Sequence, residues 1–427
     1  MDILPFALLL ALIALGPLLF AHWWEKYYWM VSLGLGGFVA GRVLISGEFG
    51  AHKIFETLVE YSAFVALIGS LYVVSGGVRI KLHGHATAGR NAALLAIGAL
   101  MANFVGTTGA SMLLIRPFLR FNHHRMKPYL IVFFIFLVSN IGGALTPIGD
   151  PPLFLGYLKG VPFFFMVEHM MLEWGVIVLA LLAIFFLIDK KSGNYSKPKP
   201  GEKPFHITTG GLGQVWWLVA ILGLVLVQKD DSLQRLPHAA VSLTIAALMA
   251  AIAVGSLRTA QKEILAENQF TYGPLKEVAA LFAGIFLTMI PALEFLSAKA
   301  PTLGLTHPWQ YFVGTGLLSS ALDNAPTYLT FLSVTLGVHG LNIENPGAVT
   351  TLLQSAEGRA TVEAISLGAV FWGAMTYIGN GPNFMVKNIA ISMHAPAPSF
   401  VDYLWKYAIP ILMPLFAAMT LVFWLIG

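Results

Sequence analysis

The sequence contains no cysteine and carries little charge. Without cysteine, the chain of 427 residues forms neither disulfide bonds nor thiolate metal sites. Only 11% of its residues are charged, whereas soluble globular domains carry about 25%. Its net charge of +4 is too modest to indicate nucleic-acid binding. These shortages exclude a soluble domain, a disulfide scaffold and a nucleic-acid-binding protein.

Long apolar runs take the place of the missing charge. Hydrophobic residues make up 57% of the chain, and its mean hydropathy is +0.75. A run of about 20 apolar residues crosses a hydrocarbon core about 30 Å thick. We therefore predict an all-α polytopic membrane protein with about ten transmembrane helices and two re-entrant hairpins. The predicted spans are 3–21, 28–46, 54–76, 128–158, 162–188, 213–228, 237–256, 276–297, 361–391 and 405–426.

Two further apolar stretches, 91–116 and 308–335, are interrupted by polar, glycine-rich centres, and we predict that they are the hairpins. If the N-terminus lies outside, most of the 25 lysine and arginine residues then lie in inner loops. The positive-inside rule predicts this bias. If either stretch were a full span, all later loops would change sides and the bias would be lost. The charge distribution therefore favours hairpins.

The polar segment 189–210 is rich in proline and glycine, which is typical of a linker. We predict that it is a cytoplasmic linker between two repeats, 1–188 and 211–427. Each repeat has three spans, a hairpin, an interrupted span and a final span. Five spans are an odd number, so the two repeats have opposite orientations in the membrane. Inverted repeats of this kind are common in secondary transporters.

A short motif occurs once in each repeat. Thr146–Phe154 aligns without gaps with Thr376–Phe384, and Asp150 corresponds to Asn380. Glycine and proline at these places predict a broken helix in each repeat, 128–158 and 361–391, unless they only kink two packed helices. Backbone groups freed at a break must be buried in protein or line a wet cavity, and half-helix ends attract ions. The predicted ion-binding and hinge residues at the breaks are Thr146, Gly149, Asp150, Thr376, Gly379, Asn380 and Asn383.

The tips of the two hairpins supply further polar groups. Thr107, Thr108 and Ser111 lie in the first tip, where their hydroxyl oxygens either replace water around a small cation or cap and pack the helices. The second tip contains Asp323, a carboxylate at membrane depth and therefore a functional hypothesis. With Asp150 it gives one acid per repeat. Burial raises the pKa of a carboxyl group, so such acids can exchange sodium for protons near neutral pH.

Other charged residues in apolar runs are weaker candidates. Glu60 and Glu294 either titrate functionally, lie at the membrane interface or form local pairs. Lys387 either binds an anion or a carboxylate or extends to the membrane surface. We predict no cofactor and no transition metal. Na⁺ and H⁺ are expected as transported ions, with Na⁺ held by the same residues.

Ser139–Pro152 resembles the broken-helix motif of the ion transporter superfamily, which includes sodium/proton antiporters and citrate transporters. Ser319–Thr327 is similar to the second hairpin of the NhaD-type sodium/proton antiporters. The resemblance implies a scaffold domain and a mobile transport domain that moves like an elevator, in a homodimer in the bacterial inner membrane. It also implies that cation and proton are handled by Asn140, Thr146, Asp150, Asp323, Asn324 and Thr327.

The sequence departs from this group at the first hairpin. NhaD-type proteins have an Asp-Asn pair there, whereas this chain has Val105–Gly109, and the Ser-Asn-Thr tips of dicarboxylate symporters are absent from both hairpins. We expect an antiporter that exports Na⁺ (or Li⁺) in exchange for H⁺. The alternative is a sodium- or proton-coupled transporter of citrate or a related carboxylate. The expected partners are therefore small ions, a small carboxylate and the lipid bilayer. An enzyme is not expected, because no nucleophile–base or metal pattern is present.

Overall fold

A computed structural model describes residues 3–45, 50–193, 204–228, 236–345 and 347–426, and these are mostly helical. Eight of the described helical segments are long and apolar enough to cross a membrane. The prediction of a multi-pass helical membrane protein is therefore confirmed. The helices of the first part are α1 (Leu4–Leu19), α2 (Ala21–Ile45), α3 (Gly50–Gly76), α4 (Ala88–Phe121), α5 (Pro128–Leu137), α6 (Pro151–Lys159) and α7 (Phe165–Lys191).

The second part repeats this order of long, folded-back and interrupted helices. Its helices are α8 (Gln214–Val227), α9 (His238–Thr259), α10 (Lys262–Glu267), α11 (Gly273–Lys299), α12 (Pro308–Ala321), α13 (Asn324–Val338), α14 (Ala348–Leu352), α15 (Ala356–Trp372), α16 (Gly381–Ser392), α17 (Phe400–Tyr403) and α18 (Ile409–Thr420). π-Helical turns at Leu404–Ala408 and Leu421–Ile426 join and extend the last two helices.

The chain folds back on itself within both stretches predicted as hairpins. In α4 the reversal lies at Gly106, whose φ of 75° and ψ of 155° are not helical. Asn91 Nδ2 then donates to Asn122 Oδ1 over 2.8 Å, although a straight helix would place these residues about 47 Å apart. Between α12 and α13 the chain reverses at Leu322 and Asp323. Re-entry of these hairpins from one membrane face stays a prediction.

Both predicted broken helices are interrupted where the motif occurs. The first consists of α5, a 3₁₀ turn at Ile141–Leu145 and α6, and the second consists of α15, a 3₁₀ turn at Gly373–Met375 and α16. Asp150 and Asn380 are the N-cap residues of α6 and α16, and both have extended backbone. Each motif therefore places its polar residue at the start of a half-helix.

A small two-stranded antiparallel sheet accompanies the mostly helical fold. Strand β1 (Arg79–His83) pairs with β2 (His206–Gly210), and Arg79 lies opposite Gly210. The predicted linker 189–210 therefore begins within α7 and ends as a strand, and residues 194–203 lie outside the described residues. The sheet ties the segment before α8 to the segment after α3.

The long helices form one packed group and the folded-back and broken elements another, and the two groups meet where α11 contacts α13 and α3 contacts α4. Helix α11 packs against α2, and α3 packs against α9. Small residues allow close approach in the first pair. At this approach Ser32 Oγ donates to the carbonyl oxygens of Ala280 and Leu281 at 2.9 and 3.0 Å. The second group contains the folded-back and broken elements: α12 packs on α15, α13 on α6, and α16 on α4. The polar centre lies within this second group.

Candidate functional site

The first break is held by hydrogen bonds to the first hairpin. Thr146 Oγ1 donates to the carbonyl oxygen of Asn103 (2.6 Å) and accepts from the backbone N–H of Gly149 (3.1 Å). The N–H of Thr107 at the hairpin tip donates to the carbonyl oxygen of Gly149 (2.8 Å). A Cβ on Gly149 would overlap the carbonyl oxygen of Gly143, so only glycine fits. These contacts satisfy the backbone groups that the interrupted helix frees.

The second break has the same framework. Thr376 Oγ1 donates to the carbonyl oxygen of Ser320 (2.7 Å) and accepts from the N–H of Gly379 (3.2 Å). A Cβ on Gly379 would lie 2.6 Å from the carbonyl oxygen of Gly373. The predicted hinge residues Gly149 and Gly379 thus both lie where the chain passes directly against itself.

Asp150 lies where both hairpins and both breaks meet, and it is 1% exposed. Its Oδ1 accepts hydrogen bonds from Thr107 Oγ1 (2.7 Å) and from Asn380 Nδ2 (2.9 Å). Its Oδ2 accepts from Asn324 Nδ2 (2.6 Å). Among the described residues Asp150 forms no ion pair. Three other elements therefore converge on this carboxylate.

Buried amides extend this centre to a second layer. Asn140 Nδ2 donates to Asn383 Oδ1 (2.6 Å), and Asn383 Nδ2 donates to the carbonyl oxygens of Gly373 (2.8 Å) and Thr376 (2.9 Å). The Oδ1 atoms of Asn140 and Asn324 are buried and have no hydrogen-bond partner among the described residues. Since amide oxygens are good ligands for hard cations, the centre combines a carboxylate with two uncommitted acceptors.

A small cavity of about 20 Å³ adjoins Asp150. Tyr72, Gly106, Thr107 and Phe154 contribute to its lining, as does the predicted tip residue Thr108. A space of this size holds one water molecule or one small cation. Citrate, with thirteen non-hydrogen atoms, requires a much larger space.

Other predicted residues form no hydrogen bond with Asp150, although Asp323 lies close enough to interact with it electrostatically. Asp323 is half-buried and caps α13, where its Oδ1 accepts from the N–H of Ala325 (3.0 Å). Thr327 Oγ1 donates to the carbonyl oxygen of Asp323 within the same turn (2.8 Å). Ser111 Oγ bonds to Ser139 Oγ (2.8 Å). No hydrogen bond joins the two acids among the described residues.

The weaker candidates have separate surroundings. Lys159 Nζ lies 2.8 Å from Glu60 Oε1, and Lys53 forms an ion pair with Glu294. Both glutamates thus have local partners, as one of the alternatives for them expected. Lys387 lies on α16 beside the second break.

One buried polar cluster was not predicted. Asp189, expected in the linker, is fully buried at the end of α7, and its Oδ1 accepts from Arg125 Nη2 (2.5 Å) and from the Tyr129 hydroxyl (2.7 Å). Its Oδ2 accepts from Asn91 Nδ2 (3.0 Å), at the open end of the first hairpin. Trp174 was also missed, although its Nε1 donates to the carbonyl oxygen of Ile141 (3.0 Å) in the first break. Tyr129 and Trp174 lie in apolar runs, and Asp189 and Arg125 lie in polar segments. Neither an apolar run nor a polar segment indicates that such a residue forms a buried polar contact.

Comparison with known proteins supplies the family. The family model described as "Putative citrate transport" matches residues 1–424. The chain belongs to this family. It is therefore a member of a transporter family, in agreement with its multi-pass helical fold. A search of curated proteins finds no match.

Proposed function

We propose that this member of the citrate-transport family moves citrate or a related carboxylate together with a coupling cation, Na⁺ or H⁺, that binds at Asp150. The observation that carries this proposal is the convergence on Asp150 of both hairpins and the second break. A buried carboxylate without a basic partner is costly unless a cation or proton neutralises it. Binding of a cation or a proton to Asp150 would then favour one arrangement of both hairpins.

The family match supports a carboxylate as the transported solute. This proposal reverses the order of the two functions expected from the sequence. We propose that Asn140, Asn324, Asn380 and Asn383 orient the site, and that Thr146 and Thr376 hold its backbone. The inverted repeat, the ten spans, an elevator movement, a homodimer and a place in the bacterial inner membrane belong to the same proposal.

A second candidate function is exchange of Na⁺ for H⁺. The cavity of about 20 Å³ beside Asp150 favours it, because this space suits a small cation and excludes citrate. Exchange of two cations on buried carboxylates would need no site for a larger solute. In this alternative Asp323 supplies the second acid.

One preparation separates the two functions. The purified full chain is reconstituted in liposomes, and uptake of labelled citrate is measured with an inward Na⁺ gradient, an inward H⁺ gradient or neither. We expect uptake that one of the gradients drives and that Asp150→Asn abolishes. Asp402→Asn is the matched control, since Asp402 is an exposed carboxylate paired with Lys406.

The contrary result would come from the same liposomes. If neither citrate nor other di- and tricarboxylates accumulate under either gradient, while added Na⁺ dissipates an imposed pH gradient, the carboxylate proposal fails. Exchange of Na⁺ for H⁺ would then be the function of the site.

A further inference from the structure

Lys387 directs its charge toward the second break. Its Nζ lies 4.5 Å from the centroid of the Tyr377 ring and 5.8 Å from that of Phe384. Tyr377 precedes α16 and follows Thr376 directly, so the ammonium points back along the helix toward its N-terminus. Side chains of a helix lean in this direction. The ammonium therefore contacts the ring of a residue in the second break, and the hydroxyl of that ring donates to the carbonyl oxygen of Pro398 (3.0 Å).

The ammonium group has no acidic partner among the described residues. It takes part in no hydrogen bond and no ion pair there, and its contacts are the faces of two aromatic rings. A cation in an apolar span that is not paired is a functional hypothesis by default. An aromatic face attracts a cation less strongly than a carboxylate does. An incoming carboxylate would thus find this charge available.

The surrounding face of α16 is open. A Cβ added to Gly381 would meet nothing within 4 Å, and Phe384 is 40% exposed. Asn388, one residue beyond Lys387, is an exposed amide on the same helix. Polar groups on an open face of a broken helix suit a water-filled cavity better than lipid.

The lysine is also a feature of one half only. Continuing the alignment of the two motifs places Lys387 opposite Tyr157, which is 2% exposed and donates to the carbonyl oxygen of Val225 (2.6 Å). In the first half, then, this position packs and carries no charge. The duplicated framework does not require a lysine here.

We propose that Lys387 binds one carboxylate group of the transported anion, and that the Tyr377 ring holds the ammonium toward it. The ligand class is a di- or tricarboxylate, and citrate is the probe. This inference rests on the proposed function, since an exchanger of two cations would gain nothing from a fixed positive charge beside its site. A requirement for Lys387 would thereby distinguish carboxylate transport from cation exchange.

The test measures citrate uptake by the reconstituted full chain with Lys387→Gln, Lys387→Arg and the control Lys406→Gln. Lys406 is 67% exposed and paired with Asp402, so its loss removes an equal charge elsewhere. For Lys387→Gln we expect a KM for citrate at least about tenfold higher, with the dependence on the driving cation unchanged. Lys387→Arg recovers part of the affinity, and Lys406→Gln behaves like the wild type.

A binding measurement distinguishes a variant that has lost its contact with citrate from one that is misfolded. The thermal unfolding of each purified protein is followed with and without citrate. We expect Lys387→Gln to unfold at the wild-type temperature without citrate and to lose the upward shift that citrate causes. Tyr377→Leu, which removes the ring and keeps the charge, should raise the KM by a smaller factor, about threefold.

The outcomes distinguish this inference from the function on which it rests. If the wild type accumulates no carboxylate, the proposed function fails and this inference with it. If the wild type accumulates citrate but Lys387→Gln keeps its KM or its citrate-induced shift, only the role of Lys387 is overturned.

Discussion

The two breaks have nearly the same backbone and different chemistry. Thr146 and Thr376 make equivalent hydrogen bonds to their hairpins, 2.6 and 2.7 Å long, and to their glycines, 3.1 and 3.2 Å long. At the start of the following half-helix, however, the first break has Asp150 and the second has Asn380. The amide of Asn380 donates to the carboxylate of Asp150. The halves thus share a framework, and one of them supplies the charge.

The hairpin tips differ in a complementary way. The first tip turns at Gly106 with a positive φ, which favours glycine, whereas the second turns at Asp323 in extended backbone. Directly after these turns, Thr107 and Asn324 each donate to Asp150. Both tips therefore serve the same carboxylate, although the second tip contains an acid of its own. The two hairpins thus converge on a single charged group.

Removing that charge should lower citrate uptake more than any other change, and moving it to the other break should restore part of the uptake. Asp150→Asn should lower gradient-driven citrate uptake at least about 1000-fold, or about 4 kcal/mol, because the buried site no longer neutralises the coupling cation. The double variant Asp150→Asn/Asn380→Asp, which moves the carboxylate to the other half, should recover part of the uptake. Asp323→Asn keeps an N-cap residue of similar strength and should lower uptake less than about tenfold. An inactive double variant would show that the two frameworks are not interchangeable.

The second prediction concerns the contacts that hold the two hairpins to the helices beside them. Arg125 and Asp189 form a buried ion pair beside the open end of the first hairpin, whereas Ser333 Oγ holds α13 to the carbonyl oxygen of Leu293. Arg125→Met leaves Asp189 without its charged partner and should destabilise the protein by about 3 kcal/mol. Hydrogen exchange should then increase in α4 and α7 more than in α12 and α13. Equal increases in both hairpins would contradict a local role for the pair.

The weakest effects are expected when each of the two threonines is replaced, and they concern stability. Thr146→Val and Thr376→Val each remove one hydroxyl that donates one hydrogen bond and accepts another, which should cost about 1–3 kcal/mol. Since the two frameworks have equivalent geometry, the two losses measured by chemical or thermal unfolding should agree within about 0.5 kcal/mol. A larger difference would mean that one break depends on its threonine more than the other.

Sequence patterns predicted the helical fold well because lipid limits the choices. Apolar length marks the spans, and the duplicated Gly-Asp-Pro-Pro and Gly-Asn-Gly-Pro segments marked both breaks, since proline and glycine disrupt helices directly. Those segments also led to Asp150 and Asn380, which the structure brings within 2.9 Å.

Contacts between distant segments were harder to predict. Asp189 lies next to Lys190, Lys191 and a proline-rich stretch, a composition typical of a solvated linker, yet it is buried by Arg125 and Tyr129. Strand β2 has a partner more than a hundred residues away, so its local pattern alone carries little information. The sequence predicted Asp323 and Asp150 as one acid per repeat, and it did not reveal that Asp323 also caps its own helix.

The most direct test is the cation dependence of citrate uptake in Asp150→Asn. The rate is measured in liposomes over a range of Na⁺ concentrations and, separately, over a range of imposed pH gradients. We expect that wild-type uptake rises with one of these and that the variant shows no response to either. Citrate uptake by Asp150→Asn that responds to the cation as in the wild type would contradict it, because the coupling cation would then bind elsewhere.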